Sequence, residues 1–192
     1  MAMAMATAKA RADGRRWAAR PSASGCAYAV SKTAFGWIGV VGTERGLVRL
    51  VLPKPEPGPV LEEIAREHGP IPQDEERYAG IFAELERYFA GEPVAFDVPL
   101  APQGTPFQLA VWDALRRIPY GETRSYADVA REVGRPRGPR AVGQAVGSNP
   151  LGIVVPCHRV VTSDSRLGGF GGGLDLKRKL LRLEGVRGIS LD

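Results

Sequence analysis

The amino-acid sequence predicts an α+β protein of two units: a small sheet with two helices over residues 26–100, then a mainly helical unit over residues 101–192. Three observations predict it. β-branched runs separated by turn residues crowd between Cys26 and Leu52, and apolar residues recur at helical spacing through much of the chain beyond Val60. Between them, Pro99-Leu100-Ala101-Pro102-Gln103-Gly104 breaks both patterns and reads as a linker.

Residues 1–25 are rich in alanine and arginine and lack the apolar core of a signal peptide. They read as a disordered leader, with an organelle transit peptide as the alternative. Ala27–Val30, Ala34–Val41 and Gly46–Leu52 then read as short strands of an antiparallel hairpin or meander, the last two joined through the turn residues of 42–46. Pro53, Pro55, Pro57 and Pro59 lack amide donors, so this segment is expected to be loop. Helices are predicted over Val60–His68, stopped by Gly69-Pro70, and over Asp74–Phe89, stopped near Gly91. In the second helix Tyr78, Ile81, Phe82, Leu85, Tyr88 and Phe89 form an apolar stripe and read as core. A short strand, Val94–Val98, is expected to close the unit.

The second unit opens with Thr105 as N-cap and Pro106 in the first helical position, a helix predicted to reach Arg117. Helices over Ser125–Val133 and Pro139–Gly147, separated by Gly134-Arg135-Pro136-Arg137-Gly138, give a helix-turn-helix pattern. The second of these helices has one long cationic side chain, Arg140, among alanines, valines and glycines. Reading base edges in a major groove needs several long polar side chains. Two readings stay open at this point: close approach to a narrow surface such as a minor groove with one inserted side chain, or small residues packing helix against helix.

Charge sharpens the partner class. Residues 26–100 carry seven Lys and Arg against twelve Asp and Glu, whereas residues 101–192 carry fourteen against eight. A basic half points to a polyanion, with nucleic acid the commonest. No apolar run approaches the roughly 20 residues of a membrane span. Two cysteines without CxxC spacing and two histidines argue against zinc and against a disulfide framework, so no metal and a reducing cytoplasm are expected.

The chemistry concentrates in Ile153-Val154-Val155-Pro156-Cys157-His158-Arg159-Val160-Val161. A cysteine directly followed by histidine is either an activated nucleophile or an inert buried thiol, and residue type alone leaves both readings open. The surroundings narrow the choice. Pro156-Cys157-His158-Arg159-Val160 follows Tyr120-Gly121-Glu122-Thr123-Arg124-Ser125-Tyr126, Arg140-Ala141-Val142-Gly143 and Asn149-Pro150. It precedes Gly171-Gly172-Gly173-Leu174 and Leu183-Glu184-Gly185. In this order, over Thr105 to Gly185, the motifs resemble those of the O6-alkylguanine-DNA alkyltransferase family, a methylated-DNA–protein-cysteine methyltransferase. The match of residues 26–100 to that family's ribonuclease-H-like first domain is looser, resting on Thr33-Ala34-Phe35-Gly36-Trp37 and Gly46-Leu47.

The resemblance implies a winged helix-turn-helix catalytic domain that binds double-stranded DNA in the minor groove and flips out an O6-alkylguanine. The alkyl group then passes irreversibly to Cys157, once per molecule and without a cofactor. It further implies that His158, acting through a water and oriented by Glu184, deprotonates Cys157, and that Tyr126 donates to the departing guanine. Asn149 would hold the turn before the cysteine, and Arg140 would fill the gap in the base stack, on a helix whose Ala141 and Gly143 approach the groove. Arg135 and Arg137 would meet phosphates. The amide of Gly171 would meet O6, the carbonyls of Cys157 and Val160 would accept from the exocyclic amine, and Phe170 would pack on the base. Phe170 stands where some members carry tyrosine. Five glycines in the seven residues 167–173 favour a mobile loop. A monomer is expected. Two other classes fit parts of the pattern. Cys157 argues against a protein that only recognises lesions, and Arg140 with the helix-turn-helix argues against a thiol hydrolase.

Overall fold

The structure, a computed structural model, describes residues 25–188. All but the last residue of the predicted leader lies outside the described residues. Strands β1 (Ala27–Thr33), β2 (Gly36–Thr43) and β3 (Gly46–Lys54) form an antiparallel sheet in the order β1-β2-β3. Helices α1 (Pro57–His68) and α2 (Glu75–Phe89) pack against it. The α2 stripe is core, as expected. Its Tyr78 hydroxyl reaches the carbonyls of Ala27 at 2.8 Å and Gly42 at 3.1 Å, bonding the helix to the sheet by buried polar pairs.

Two expectations for this unit fail. Pro53 and Lys54 end β3, and Pro57 and Pro59 belong to the first turn of α1, rather than to a loop. Amides in a first helical turn have no intrahelical acceptor, so a missing donor costs nothing there. Val94–Val98 forms no strand. A single bridge joins Leu47 to Leu100, through bonds from Leu47 N to Pro99 O and from Ala101 N to Leu47 O, each 2.8 Å. Flanking prolines at 93 and 99 deny the ladder its donors, so the predicted linker is stitched to β3 instead of swinging free.

Helix α3 (Pro106–Arg116) carries the reciprocal capping box of Thr105 and Gln108. Strand β4 (Arg124–Ser125) leads into α4 (Tyr126–Glu132), which Ser125 caps in a second such box with Asp128. Helix α5 (Pro139–Gly147) follows the turn and completes the helix-turn-helix. After a 3₁₀ turn at Cys157–Arg159 come β5 (Val160–Val161), parallel to β4, and α6 (Leu174–Leu183). One hydrophobic cluster runs through both units, from Ala27 of β1 to Leu180 of α6. Leu50 N of β3 also donates to Pro150 O at 2.8 Å, fastening the sheet to the segment before the cysteine.

Candidate active site

Between α5 and β5 the chain makes a tight turn in which Ile153, a β-branched residue, adopts φ 76°. Such a conformation is strained for this residue type and persists only where the surroundings impose it. Asn149 is one source of that constraint. Its Nδ2 donates to Val155 O at 2.8 Å and its Oδ1 accepts from Leu151 N at 3.0 Å. The turn that the sequence assigns to Asn149 is formed, and its amide ties both Leu151 and Val155 to it.

Cys157 is 6% exposed. Burial pushes its thiol up, against the pull of the Asn149 amide, the Lys177 charge and two backbone amides. At rest the sulfur is a protonated thiol.

His158 is fully buried, and burial likewise lowers its affinity for a proton, so the ring is neutral. Glu184 experiences the same desolvation, but the hydrogen bonds from His158 and Arg159 outweigh it and hold the carboxyl at about 2. An ionised Glu184 can only accept. The 2.8 Å contact with His158 Nε2 therefore fixes the proton on Nε2 and leaves Nδ1 as the basic nitrogen. Nδ1 makes no hydrogen bond among the described residues.

Three further residues of this cluster are not singled out by the sequence. Arg159 gives Glu184 two bonds of 2.9 Å and donates to Ile118 O at 2.6 Å. Tyr88, read as a core aromatic, donates its hydroxyl to Glu184 Oε1 at 2.6 Å and lies 3.3 Å from His158 Nε2. Lys177 buries its ammonium among the carbonyls of Val160 (2.6 Å), Leu167 and Gly169 (3.5 Å). Desolvation lowers it to about 8, so it remains charged at neutral pH. Lys177 thus clamps the glycine-rich loop to β5, and the Val160 carbonyl that the resemblance assigns to the guanine amine already accepts once.

The other predicted residues lie in front of this cluster. Tyr126, Arg140, Gly143, Phe170 and Gly171 line one open cleft of about 680 Å³. Burial and the nearby Cys157 raise the Tyr126 hydroxyl, keeping it protonated. Loop and ring meet at Gly168, where a Cβ would stand 2.9 Å from the Tyr126 hydroxyl and where φ is +64°. Phe170 sets its ring edge-on to His158, with centroids 6.4 Å apart. Cys157 borders a neighbouring cleft of about 330 Å³, between the units, which shares the wall of Phe170 and Gly171. Ala141, Arg135 and Arg137 are not part of either. They line a separate surface cleft across the helix-turn-helix, where Arg135 lies over the Phe107 ring. Among the described residues no group of three His, Cys, Asp or Glu could hold a metal.

Comparison with known proteins matches residues 106–186 to the DNA-binding domain of 6-O-methylguanine DNA methyltransferase and residues 26–102 to its ribonuclease-like domain. The chain belongs to this methyltransferase family. A methylated-DNA–protein-cysteine methyltransferase of Methanosarcina acetivorans is 44% identical over 158 residues, covering 82% of this chain and 97% of its own. One from Mycolicibacterium paratuberculosis is 54% identical over 107 residues, 56% of this chain and 65% of its own. The crystal structure of Mycobacterium tuberculosis OGT in complex with DNA superposes with a TM-score of 0.71 at 40% identity, covering 83% of this chain and 93% of the other. The methyltransferase architecture is thus α+β, a ribonuclease-like unit with a small sheet followed by a helical DNA-binding unit. No helix among its described residues is long and apolar enough to cross a membrane.

Proposed function

We propose that this protein repairs DNA by moving the alkyl group of an O6-alkylguanine onto Cys157, irreversibly and once per molecule. The observation that carries the reading is the buried line Cys157, His158, Glu184 behind a cleft lined by Tyr126 and Arg140. The thiol is protonated at rest, and burial shields both it and the imidazole from stray electrophiles. When a flipped base fills the cleft, the thiol proton passes to His158 Nδ1 through a water, and Glu184, already ionised and braced by Arg159, stabilises the imidazolium.

The S–C bond forms as the C–O6 bond breaks. Guanine leaves toward an anion and is met by the Tyr126 hydroxyl, so that after proton return the thiol hydrogen resides on guanine and the alkyl group on sulfur. Extrusion of the base costs a few kcal/mol. Arg140, planar and exposed at the cleft edge, stacks in its place within the minor groove. The backbone of Gly171, Val160 and Cys157 reads the base, while Ala141 and Gly143 allow close approach and Arg135 and Arg137 meet phosphates. The partner is double-stranded DNA, the acting species a monomer, and the site of action the cytoplasm; no cofactor takes part. Incubation with a duplex bearing one O6-methylguanine, followed by peptide mass spectrometry, tests the reading. One methyl group per protein at Cys157 is the expected result, and a methyl group elsewhere or multiple turnover rejects it.

A further inference from the structure

We propose that Tyr88, supplied by α2 of the ribonuclease-like unit, is a positioning residue that sets the basicity of His158 by sharing the Glu184 carboxylate with it. The proposal rests on the alkyl-transfer reading above. Glu184 Oε1 receives three donors: Tyr88 Oη at 2.6 Å, His158 Nε2 at 2.8 Å and Arg159 Nη2 at 2.9 Å. Oε2 receives Arg159 Nε at 2.9 Å and Gly121 N at 3.3 Å. A carboxylate oxygen has two in-plane lone pairs, so three donors on one oxygen compete. Tyr88, the shortest of the three and fully buried, takes charge density that would otherwise stabilise a protonated His158.

The remaining groups around this pair are accounted for. Cys157 and Arg159 flank His158 in the 3₁₀ turn, Lys177 approaches from α6, and Tyr120 faces Glu184 from the loop after α3. Of these, Arg159 bears a fixed positive charge, Lys177 is charged below about pH 8 and so does not titrate on the acid limb, and Cys157 and Tyr120 are neutral at rest. Tyr88 is the neutral donor that touches both members of the pair. Deleting its hydroxyl hands Oε1 to His158 and Arg159 alone, which strengthens the hold on an imidazolium. His158 then keeps its proton to higher pH and fails as a base there.

The measurement is the single-turnover rate of methyl transfer against pH in the full-length protein. Tyr88→Phe is expected to move the acid limb to higher pH by roughly half a unit or more. Replacing Tyr88 with 3,5-difluorotyrosine keeps the shape and strengthens the donor, so the limb moves the other way and the test survives a poorly folding phenylalanine variant. Tyr120→Phe is the control. Its hydroxyl also joins the two units, through Gly91 O at 3.1 Å and Leu183 O at 3.0 Å, without bonding His158 or Glu184. An unmoved limb in both Tyr88 variants, or an equal shift in Tyr120→Phe, overturns the proposal. A parent protein that transfers no methyl group sinks the functional reading beneath it as well.

Discussion

Arg159 and Arg140 share little beyond a guanidinium. Arg159 is 7% exposed, forked onto Glu184 and bonded to Ile118 O. Arg140 is exposed on α5 and has no ion pair among the described residues. The contrast extends to their neighbours: Tyr88, His158, Lys177 and Glu184 are buried and partnered, whereas Arg135, Arg137 and Ala141 lie open to solvent. In the proposed function the buried groups hold a proton path in a low dielectric, so stability and chemistry are coupled there. Groups in front must be free to meet a ligand, so binding changes there without the fold.

The sharpest way to break the contrast is at the sulfur itself. Cys157→Ala should abolish alkyl transfer completely, while binding to a lesion duplex stays within about 1 kcal/mol of the parent. Fluorescence anisotropy and adduct mass spectrometry on one preparation check both halves. Next in size is Glu184→Gln, which leaves Arg159 buried without its carboxylate. It should cost about 3 to 5 kcal/mol in denaturant unfolding and most of the transfer rate.

The same carboxyl predicts an acid dependence. Its folded value of about 2 lies below the ordinary 4.5, so its contribution of about 3 kcal/mol is present above pH 4.5 and lost as pH falls toward 2. Unfolding curves at stepped pH should show that loss in the parent and a flatter profile in Glu184→Gln.

Lys177→Met probes the clamp. It leaves the carbonyls of Val160 and Leu167 buried without their donor, for about 2 kcal/mol in unfolding free energy, and it should quicken hydrogen exchange in 167–171. On the front face Arg140→Ala should leave stability within about 0.5 kcal/mol. It should slow repair of duplex by about tenfold while sparing the free base, because only the duplex requires a replacement in the stack.

This division also explains what the sequence reveals. Front-face residues are legible because Arg140 interrupts a small-residue helix and Tyr126 follows a serine cap. Helix starts are legible for the same local reason, as Thr105 and Ser125 show. The rear residues that the sequence does not single out, Tyr88, Arg159 and Lys177, are hidden because they occupy core positions. Tyr88 continues an apolar stripe, and its hydroxyl matters only through Glu184, far along the chain. Lys177 falls with Leu180 and Leu181 on one buried face of α6, at spacings of three and four, and a charge on an apolar stripe is a signal that could find it. Val94–Val98 fails for a different reason: strand propensity says nothing about whether a partner edge is in reach.

The smallest effect tests the far end of the front face. Arg135 and Arg137 line a cleft apart from the one that holds Tyr126 and Arg140, and in the proposed function they touch backbone rather than base. A side chain that neutralises one phosphate releases its condensed counterions, and the logarithm of affinity then falls with the logarithm of salt by about 0.9 per contact on duplex DNA. Replacing either arginine by alanine should therefore reduce the salt slope by about one and weaken lesion and undamaged duplexes alike. Arg135 has a competing role, because its guanidinium lies 6.0 Å from the Phe107 ring centroid. If that stacking holds it away from DNA, Arg135→Ala will leave the slope unchanged while Arg137→Ala lowers it. Titrations at four salt concentrations separate the two arginines, and an unchanged slope in both variants removes the helix-turn-helix turn from the DNA-binding face.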